Sequence, residues 1–425
     1  MPTQLVSQLK SGNIPTGLYA IGTRVIAAAV SFAGGILILV LFEPGRIGVF
    51  LSFTSLAGFS AIADLGLSYS FLLAVSSRRP DETTPLAWAA FTSMVPTVIA
   101  TGIILFLGGS LFMLQGGVTA ERWLWPWIAY CTISSLHVTL TLGLSYVEGT
   151  GRRHAAWKAN FWIEVAGGIA FLAAVGTGLE LWALSGSALV RSALIAFAFA
   201  RQFTLPTRPV AGRAFHLWRR ELWPMQWKML VNNLVGLATT RLLTPGLLAT
   251  RGEVAAGQTG LVLSLSLMAV TATSVWPVSQ TALYSDLYHR GAHRDFVSTF
   301  RRTAIASTAL SVGFAIAGGA LCEAVRFYSQ HMSARLPDSV VIWSIMAVAP
   351  ISHLVNCFAI AFRSQRVDPA VLPNFILGVL CLPVLWIAAR QGLTLFAVTY
   401  LAVAVIFLAL YWLVFQRQMR ALRRS

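Results

Sequence analysis

Charge is what this chain has least of. Only 11% of its 425 residues are Asp, Glu, Lys or Arg, where a soluble domain carries roughly 25%. Acid is the scarcer sign, with 15 Asp and Glu against 31 Lys and Arg. Long polar stretches are missing too. Nothing between the apolar runs has room for a soluble catalytic domain, so the work of this protein belongs inside or across a membrane. The chain also lacks a Walker A sequence, an HExxH motif and any Cys/His cluster, which excludes a covalently attached ATPase and leaves no enzyme activity, cofactor or metal expected. Its four cysteines, Cys131, Cys322, Cys357 and Cys381, show no CxxC spacing and sit in or beside apolar runs. They read as structural thiols.

What the chain has in abundance is apolar sequence. Hydrophobic residues make up 56% of it, with a mean hydropathy of +0.72. Polar punctuation divides it into about twelve segments long enough to span a bilayer. They are 19–41, 47–75, 87–114, 123–147, 157–178, 181–203, 225–250, 256–282, 303–323, 339–362, 370–389 and 392–415. None shows strand-like alternation, and a spanning helix satisfies its own backbone, so they read as helices rather than a barrel. The first segment is too long for a signal peptide, has no small-residue cleavage site and is followed at once by a second span, so it reads as a retained helix.

The net charge of +16 would fit nucleic acid, but its distribution fits topology instead. With a cytoplasmic N-terminus, about 21 basic residues fall on the cytoplasmic side. The other side holds only Arg46, Arg122, Arg251, Arg326, Arg335 and Arg390. An even number of spans returns the C-terminus to the cytoplasm, and no nucleic-acid partner is expected.

The longest cytoplasmic connection, 204–223, lies near the midpoint. It opens with Pro206 and Pro209 and continues into a basic, Trp-containing stretch. It reads as a solvated linker or as a surface amphipathic helix with Phe215, Leu217, Trp218 and Leu222 toward lipid. It separates an N-terminal lobe of six helices, 1–203, from a C-terminal lobe of six, 224–425. The halves echo each other weakly. A short outer turn (Pro44-Gly45-Arg46-Ile47-Gly48, or Arg251-Gly252-Glu253 to Gly257) leads into a long Ser-rich span and then a charged loop. Because each half has six spans, such a repeat is parallel, about an axis along the membrane normal.

Gly48-Val49-Phe50 and Ala63-Asp64-Leu65-Gly66-Leu67, with Gly45 and Gly48 in the outer turn, resemble the second-helix region of Wzx-type polysaccharide-export flippases. Trp227-Lys228, Thr244-Pro245, Ala256-Gly257-Gln258-Thr259-Gly260 and Trp276-Pro277 are similar to that family's seventh and eighth helices. The layout covers the whole chain, the motifs about a fifth of it. The resemblance implies an all-α polytopic fold of the MOP (multidrug/oligosaccharidyl-lipid/polysaccharide) exporter type, with about 12 transmembrane helices in two lobes around a central cavity.

Charges within spans are costly and face a bundle interior or a wet cavity. The cations are Arg24, Arg191, Lys228 and Arg241, and the acids Asp64 and Glu164. Arg24 and Lys228 lie near helix ends, where snorkelling to headgroups competes with substrate binding. Arg191 and Arg241 lie near mid-span and read as cavity-facing or as structural pairs. Asn233, Thr240 and Thr244 recur at helical spacing beside Arg241, with Gly236 alongside and Pro245 able to bend the helix. Tyr130, Ser134, His137, Thr141 and Ser145 line one face of the fourth span, and serve either a cavity or helix packing. His353 and Asn356 share a face near Pro350. Asp64 and Glu164 are candidates for ion coupling, or partners for Arg24 or Arg191.

The C-terminal lobe thus holds Lys228 and Arg241 with no clear intramembrane acid, which suits an anionic headgroup. Together with the resemblance, this implies a flippase. It would move undecaprenyl-pyrophosphate-linked oligosaccharide across a bacterial inner membrane by alternating access, with Arg24, Arg191, Lys228 and Arg241 holding the pyrophosphate. Expected partners are that lipid-linked substrate, membrane lipids and a polysaccharide polymerase or other assembly protein. Three other readings stay open: an ion-coupled multidrug or metabolite antiporter on the same fold, a membrane glycosyltransferase or polymerase, and a non-transporting scaffold.

Overall fold

The computed structural model describes residues 16–64, 67–76, 80–202, 216–328, 333–365 and 369–422. Every regular element among them is helical. In order they are α1 (Thr16–Leu41), α2 (Pro44–Ala57), a 3-10 segment (Gly58–Asp64), α3 (Leu67–Ser76), α4 (Pro80–Gln115), α5 (Ala120–Gly149), α6 (Arg153–Gly176) and α7 (Trp182–Gln202). A π-helical turn (Trp218–Leu222) leads into α8 (Trp223–Arg241), α9 (Leu243–Arg251), α10 (Glu253–Ser279), α11 (Thr281–His289), α12 (His293–Tyr328), α13 (Ser339–Ser364), α14 (Val371–Gln391) and α15 (Leu393–Leu422).

Ten of these, α1, α4 to α7, α10 and α12 to α15, are long and apolar enough to cross a membrane. The two expected spans that do not form single helices are the interrupted ones. The second, 47–75, is α2, the 3-10 segment and α3. The seventh, 225–250, is α8 and α9. The second break has a visible cause: Pro245 has no N–H to give the carbonyl of Arg241 four residues earlier, and the helix breaks at Leu242. The outer faces are apolar, the reverse of a soluble bundle. On α4, Ile104, Leu107, Leu111 and Leu114 form an exposed stripe at helical spacing. The chain is an all-α, multi-pass membrane protein.

The described chain forms two compact units. One comprises Met1–Leu41, Phe53–Leu114 and Val118–Leu237, and the other Phe42–Ser52, Gln115–Gly117 and Ala238–Ser425. The chain therefore passes between them at more places than a single 204–223 linker provides. Phe42–Ser52 joins the second unit because two glycines allow backbone-to-backbone contact. A Cβ on Gly48 would collide with the Glu253 carbonyl, and one on Gly257 would lie 2.7 Å from the Pro44 oxygen and 2.9 Å from the Gly48 nitrogen. In lipid, close packing of this kind drives helix association, because lipid tails are as apolar as side chains.

In the first unit Leu67, Phe71, Val75, Leu86, Met94, Leu142 and Leu222 form a continuous core. Leu222 is therefore packed into the unit rather than facing lipid, and its neighbour Trp218 donates from Nε1 to Gln226 Oε1 at 3.0 Å. Phe215 lies outside the described residues. In the second unit an aromatic cluster joins α11, α12, α13 and α15 through Tyr284, Phe296, Phe300, Phe358, Phe362 and Phe415. Phe415 sits 5.0 Å from Phe300 and 5.1 Å from Phe358.

Candidate functional site

Among the described residues each unit holds a polar centre built from side chains within its spans. In the first unit, Glu164 on α6 meets Arg191 on α7, with Arg191 Nη2 donating to Glu164 Oε2 at 3.1 Å. Their side chains are 28% and 29% exposed. The local sequence explains the approach. Gly167, one turn after Glu164, has no side chain, and the Arg191 stem lies on its Cα, where a Cβ would collide with it. Ser187, one turn before Arg191, donates to the Gly167 carbonyl at 2.8 Å. Gly168 performs the same service on the other side of α6, where Val30 of α1 packs against it.

His137 of α5 closes this centre. Its Nδ1 lies 3.3 Å from Ser192 Oγ, and that hydroxyl donates to the Ala188 carbonyl at 2.8 Å. A hydroxyl has one proton to give, so with that proton on Ala188 the imidazole donates from Nδ1 and Ser192 accepts. Three helices thus converge on Glu164, Arg191, His137 and Ser192. Arg191 Nε is buried with no partner, so the guanidinium keeps an unused donor.

The rest of the α5 stripe is satisfied locally. Ser134, Thr141 and Ser145 donate back to carbonyls of their own helix, those of Cys131, Val138 and Thr141. Tyr130 reaches further: its hydroxyl donates to the Ala57 carbonyl at 3.0 Å and stands 3.2 Å from Ser60 Oγ.

Asp64 makes no ion pair with Arg24 or Arg191 among the described residues. It accepts from the Ser68 backbone N–H at 3.0 Å and from the Ser68 hydroxyl, and so caps the start of α3 where the 3-10 segment ends. Leu65 and Gly66, which follow it, lie outside the described residues. Arg24 is exposed on α1, and no carboxylate pairs with it among the described residues.

The second unit's centre surrounds His353 of α13, a fully buried residue. Its Nδ1 lies 2.9 Å from Thr273 Oγ1 and 3.4 Å from Ser274 Oγ on α10, and its Nε2 2.9 Å from Ser307 Oγ on α12 and 3.5 Å from Cys357 Sγ. Thr273 gives its one hydroxyl proton to the Ala269 carbonyl at 2.8 Å, so the ring donates to it from Nδ1, while Ser307, 2.8 Å from the Thr303 carbonyl, shares its one proton between that oxygen and Nε2. Asn356, expected on the same face, is exposed. A three-residue step leaves it about 60° off the packed face, enough to take it out of the core. All four cysteines are buried free thiols.

The polar stripe expected around Arg241 does not survive the break at Leu242. Thr244 is buried in α9, against Gly260, whereas Asn233 and Thr240 are exposed on α8. Arg241 is half-buried in the last turn of α8. The side chain of Lys228 lies outside the described residues.

The structure therefore brings together Glu164, Arg191 and His137, and leaves Arg24, Asp64 and Asn356 apart. Ser187, Ser192, Gly167, Thr273 and Ser307 escape a reading of the sequence. Ser187, four residues before Arg191 on the same face, is the one that helical spacing marks.

No family model and no curated protein sequence matches the chain. Among solved structures it is similar to a multidrug resistance MATE family transporter of the MOP superfamily in an inward-facing conformation, with a TM-score of 0.68 at 13% identity over 97% of this chain and 96% of that one. It is also similar to the lipid II flippase MurJ in an inward closed conformation, with a TM-score of 0.62 at 12% identity over 94% of this chain and 87% of that one. A third, a MATE in complex with Br-NRF, has a TM-score of 0.56 at 13% identity over 96% and 95% of the two chains. The chain shares the fold of these proteins.

Proposed function

We propose that this chain of MOP fold is a flippase for a polyprenyl-pyrophosphate-linked oligosaccharide, of the Wzx kind, in a bacterial inner membrane. Its termini face the cytoplasm, and it works by alternating access. The observation that carries this reading is the balance of intramembrane charge. Leaving aside Lys158, Arg201 and Glu323 at the span ends, the spans hold four cations, Arg24, Arg191, Lys228 and Arg241, and two acids, Asp64 and Glu164. Glu164 is engaged by Arg191, and Asp64 by the start of its own helix. The count is cationic, four against two, and a pyrophosphate is the ligand that a permanently charged guanidinium serves best. Arg24 and Arg241 are the residues assigned to it, with Lys228 in support. Arg191 is assigned to its ion pair rather than to the substrate. The MurJ likeness supports a lipid-linked cargo, and the polysaccharide polymerase remains the proposed partner for the product.

The test is the sidedness of lipid-linked glycan in cells at matched expression. Wild type should deliver glycan to the outer leaflet, and Arg24→Gln and Arg241→Gln should each reduce delivery about tenfold, as expected for loss of one charge-assisted contact. Undiminished delivery in both variants would remove the arginines from the substrate site. A second reading, an ion-coupled drug antiporter, draws on the MATE likeness. It requires transport to fail in Glu164→Gln while Arg24→Gln and Arg241→Gln retain it.

A further inference from the structure

One cleft lies outside both polar centres. It has a volume of about 520 Å³ and is lined by His293, Arg294, Val297, Ser298, Arg301, Arg302 and Ile305 of α12, with Met419 of α15 opposite. Steps of three and four residues put the α12 residues on one face. The lining mixes three arginines, a histidine and a hydroxyl with the apolar side chains of Val297, Ile305 and Met419.

No ion pair among the described residues compensates the charge in this cleft, and Asp295, beside Arg294 in the first turn of α12, is exposed and outside the lining. No carboxylate lies among its lining residues. Asp286, the acid on the preceding helix, is already held by Arg290 at 2.7 Å. Among the described residues no ion pair involves Arg294, Arg301 or Arg302. His293 Nδ1 is buried with no hydrogen-bond partner, while its ring packs 5.4 Å from that of Tyr288. Unpaired cations side by side repel one another, and an anion relieves that repulsion.

The position of the cleft along α12 identifies the anion's source. From Thr303 to Cys322 the helix carries no charged residue. That run is as long as the roughly 20 residues needed to cross the hydrocarbon of a bilayer. Arg301 and Arg302 therefore sit where hydrocarbon ends and headgroups begin, and Ile305, 59% exposed, is the first large apolar residue within. A ligand that offers a phosphate at one level and an alkyl chain immediately below it matches the arginines and Ile305 together. A free phosphate ion leaves Ile305 unused.

We propose that this cleft binds an anionic glycerophospholipid, with its phosphate among Arg294, Arg301 and Arg302 and its proximal acyl chain over Ile305. The site is separate from the substrate residues named above and does not depend on that assignment. Basic pockets at the membrane surface attract anionic lipid at a strength that makes each arginine worth about fivefold in affinity.

The experiment is native mass spectrometry of the full-length protein in detergent, titrated with phosphatidylglycerol or phosphatidylcholine. Wild type should retain phosphatidylglycerol preferentially. Arg301→Gln should lower that retention about fivefold, and Arg294→Gln combined with Arg301→Gln and Arg302→Gln should abolish the preference. Arg301→Lys, which keeps the charge, should restore most of it and shows that loss is not misfolding. Equal retention of both lipids by wild type, or an unchanged preference in the triple variant, overturns the proposal. So does displacement of phosphatidylglycerol by millimolar inorganic phosphate, which would make the cleft a simple anion site. Displacement by farnesyl pyrophosphate at lower concentration than phosphatidylglycerol also overturns it, in favour of a substrate site.

Discussion

At the scale of single residues, the chain meets the cost of charge in a membrane by pairing or capping its acids and by surrounding its buried histidine with hydroxyls. The Glu164–Arg191 pair is the sharpest case. Removing either partner leaves the other unpaired in a medium of low dielectric. Because both side chains keep some exposure, the expected cost is about 2 kcal/mol, below that of a fully buried pair. Glu164→Gln and Arg191→Gln should each lower the thermal midpoint in detergent, and the double variant should recover much of the loss. A double-mutant cycle with no coupling would show that the 3.1 Å contact contributes nothing. His353→Ala offers a second test. It opens a cavity beside Thr273 and Ser307, which keep only the carbonyls of their own helices, so destabilisation of about 2 to 4 kcal/mol is expected by the same assay. A loss within the noise of a surface substitution would mean the shell is already self-satisfied.

At the scale of elements, glycine decides which helices meet. Gly257→Ala should push α10 away from the Pro44–Gly48 turn, because the atoms it would meet are backbone and have nowhere to go. The expected cost is about 1 to 3 kcal/mol. Gly236→Ala, in a helix position with open space around it, should be neutral or stabilise slightly through helix propensity. Equal melting behaviour of the two variants would contradict the close approach. This scale also shows what a sequence reveals. Ten of the expected spans are visible as apolar runs because hydropathy and helix length obey the bilayer's thickness. The breaks in 47–75 and 225–250 are not, since hydropathy continues across them. Pro245 hints at one, whereas Asp64 reveals itself as a helix cap only once Ser68 is seen beside it. Glu164 and Arg191 are legible as candidates for pairing through charge alone, but they stand 27 residues apart on two helices whose adjacency no local pattern encodes. His353 finds its hydroxyls on two other helices, α10 and α12, for the same reason. Asn356 shows the limit of helical spacing, since a three-residue step separates core from surface.

At the scale of the molecule, two compact helical units carry an excess of cations within their spans, and Asp64 and Glu164 are engaged locally. That is the basis for assigning an anionic, lipid-linked cargo to a fold that also serves multidrug transporters. The assignment predicts selectivity by charge, not only by size. The most direct test is a proteoliposome assay in which the purified protein is offered, separately, a polyprenyl-pyrophosphate-linked oligosaccharide and a lipophilic organic cation, with and without an imposed ion gradient. The account predicts translocation of the glycolipid and none of the cation, with glycolipid movement lost in an Arg24→Gln/Arg241→Gln double variant. Gradient-driven export of the cation with the glycolipid left in place would contradict it.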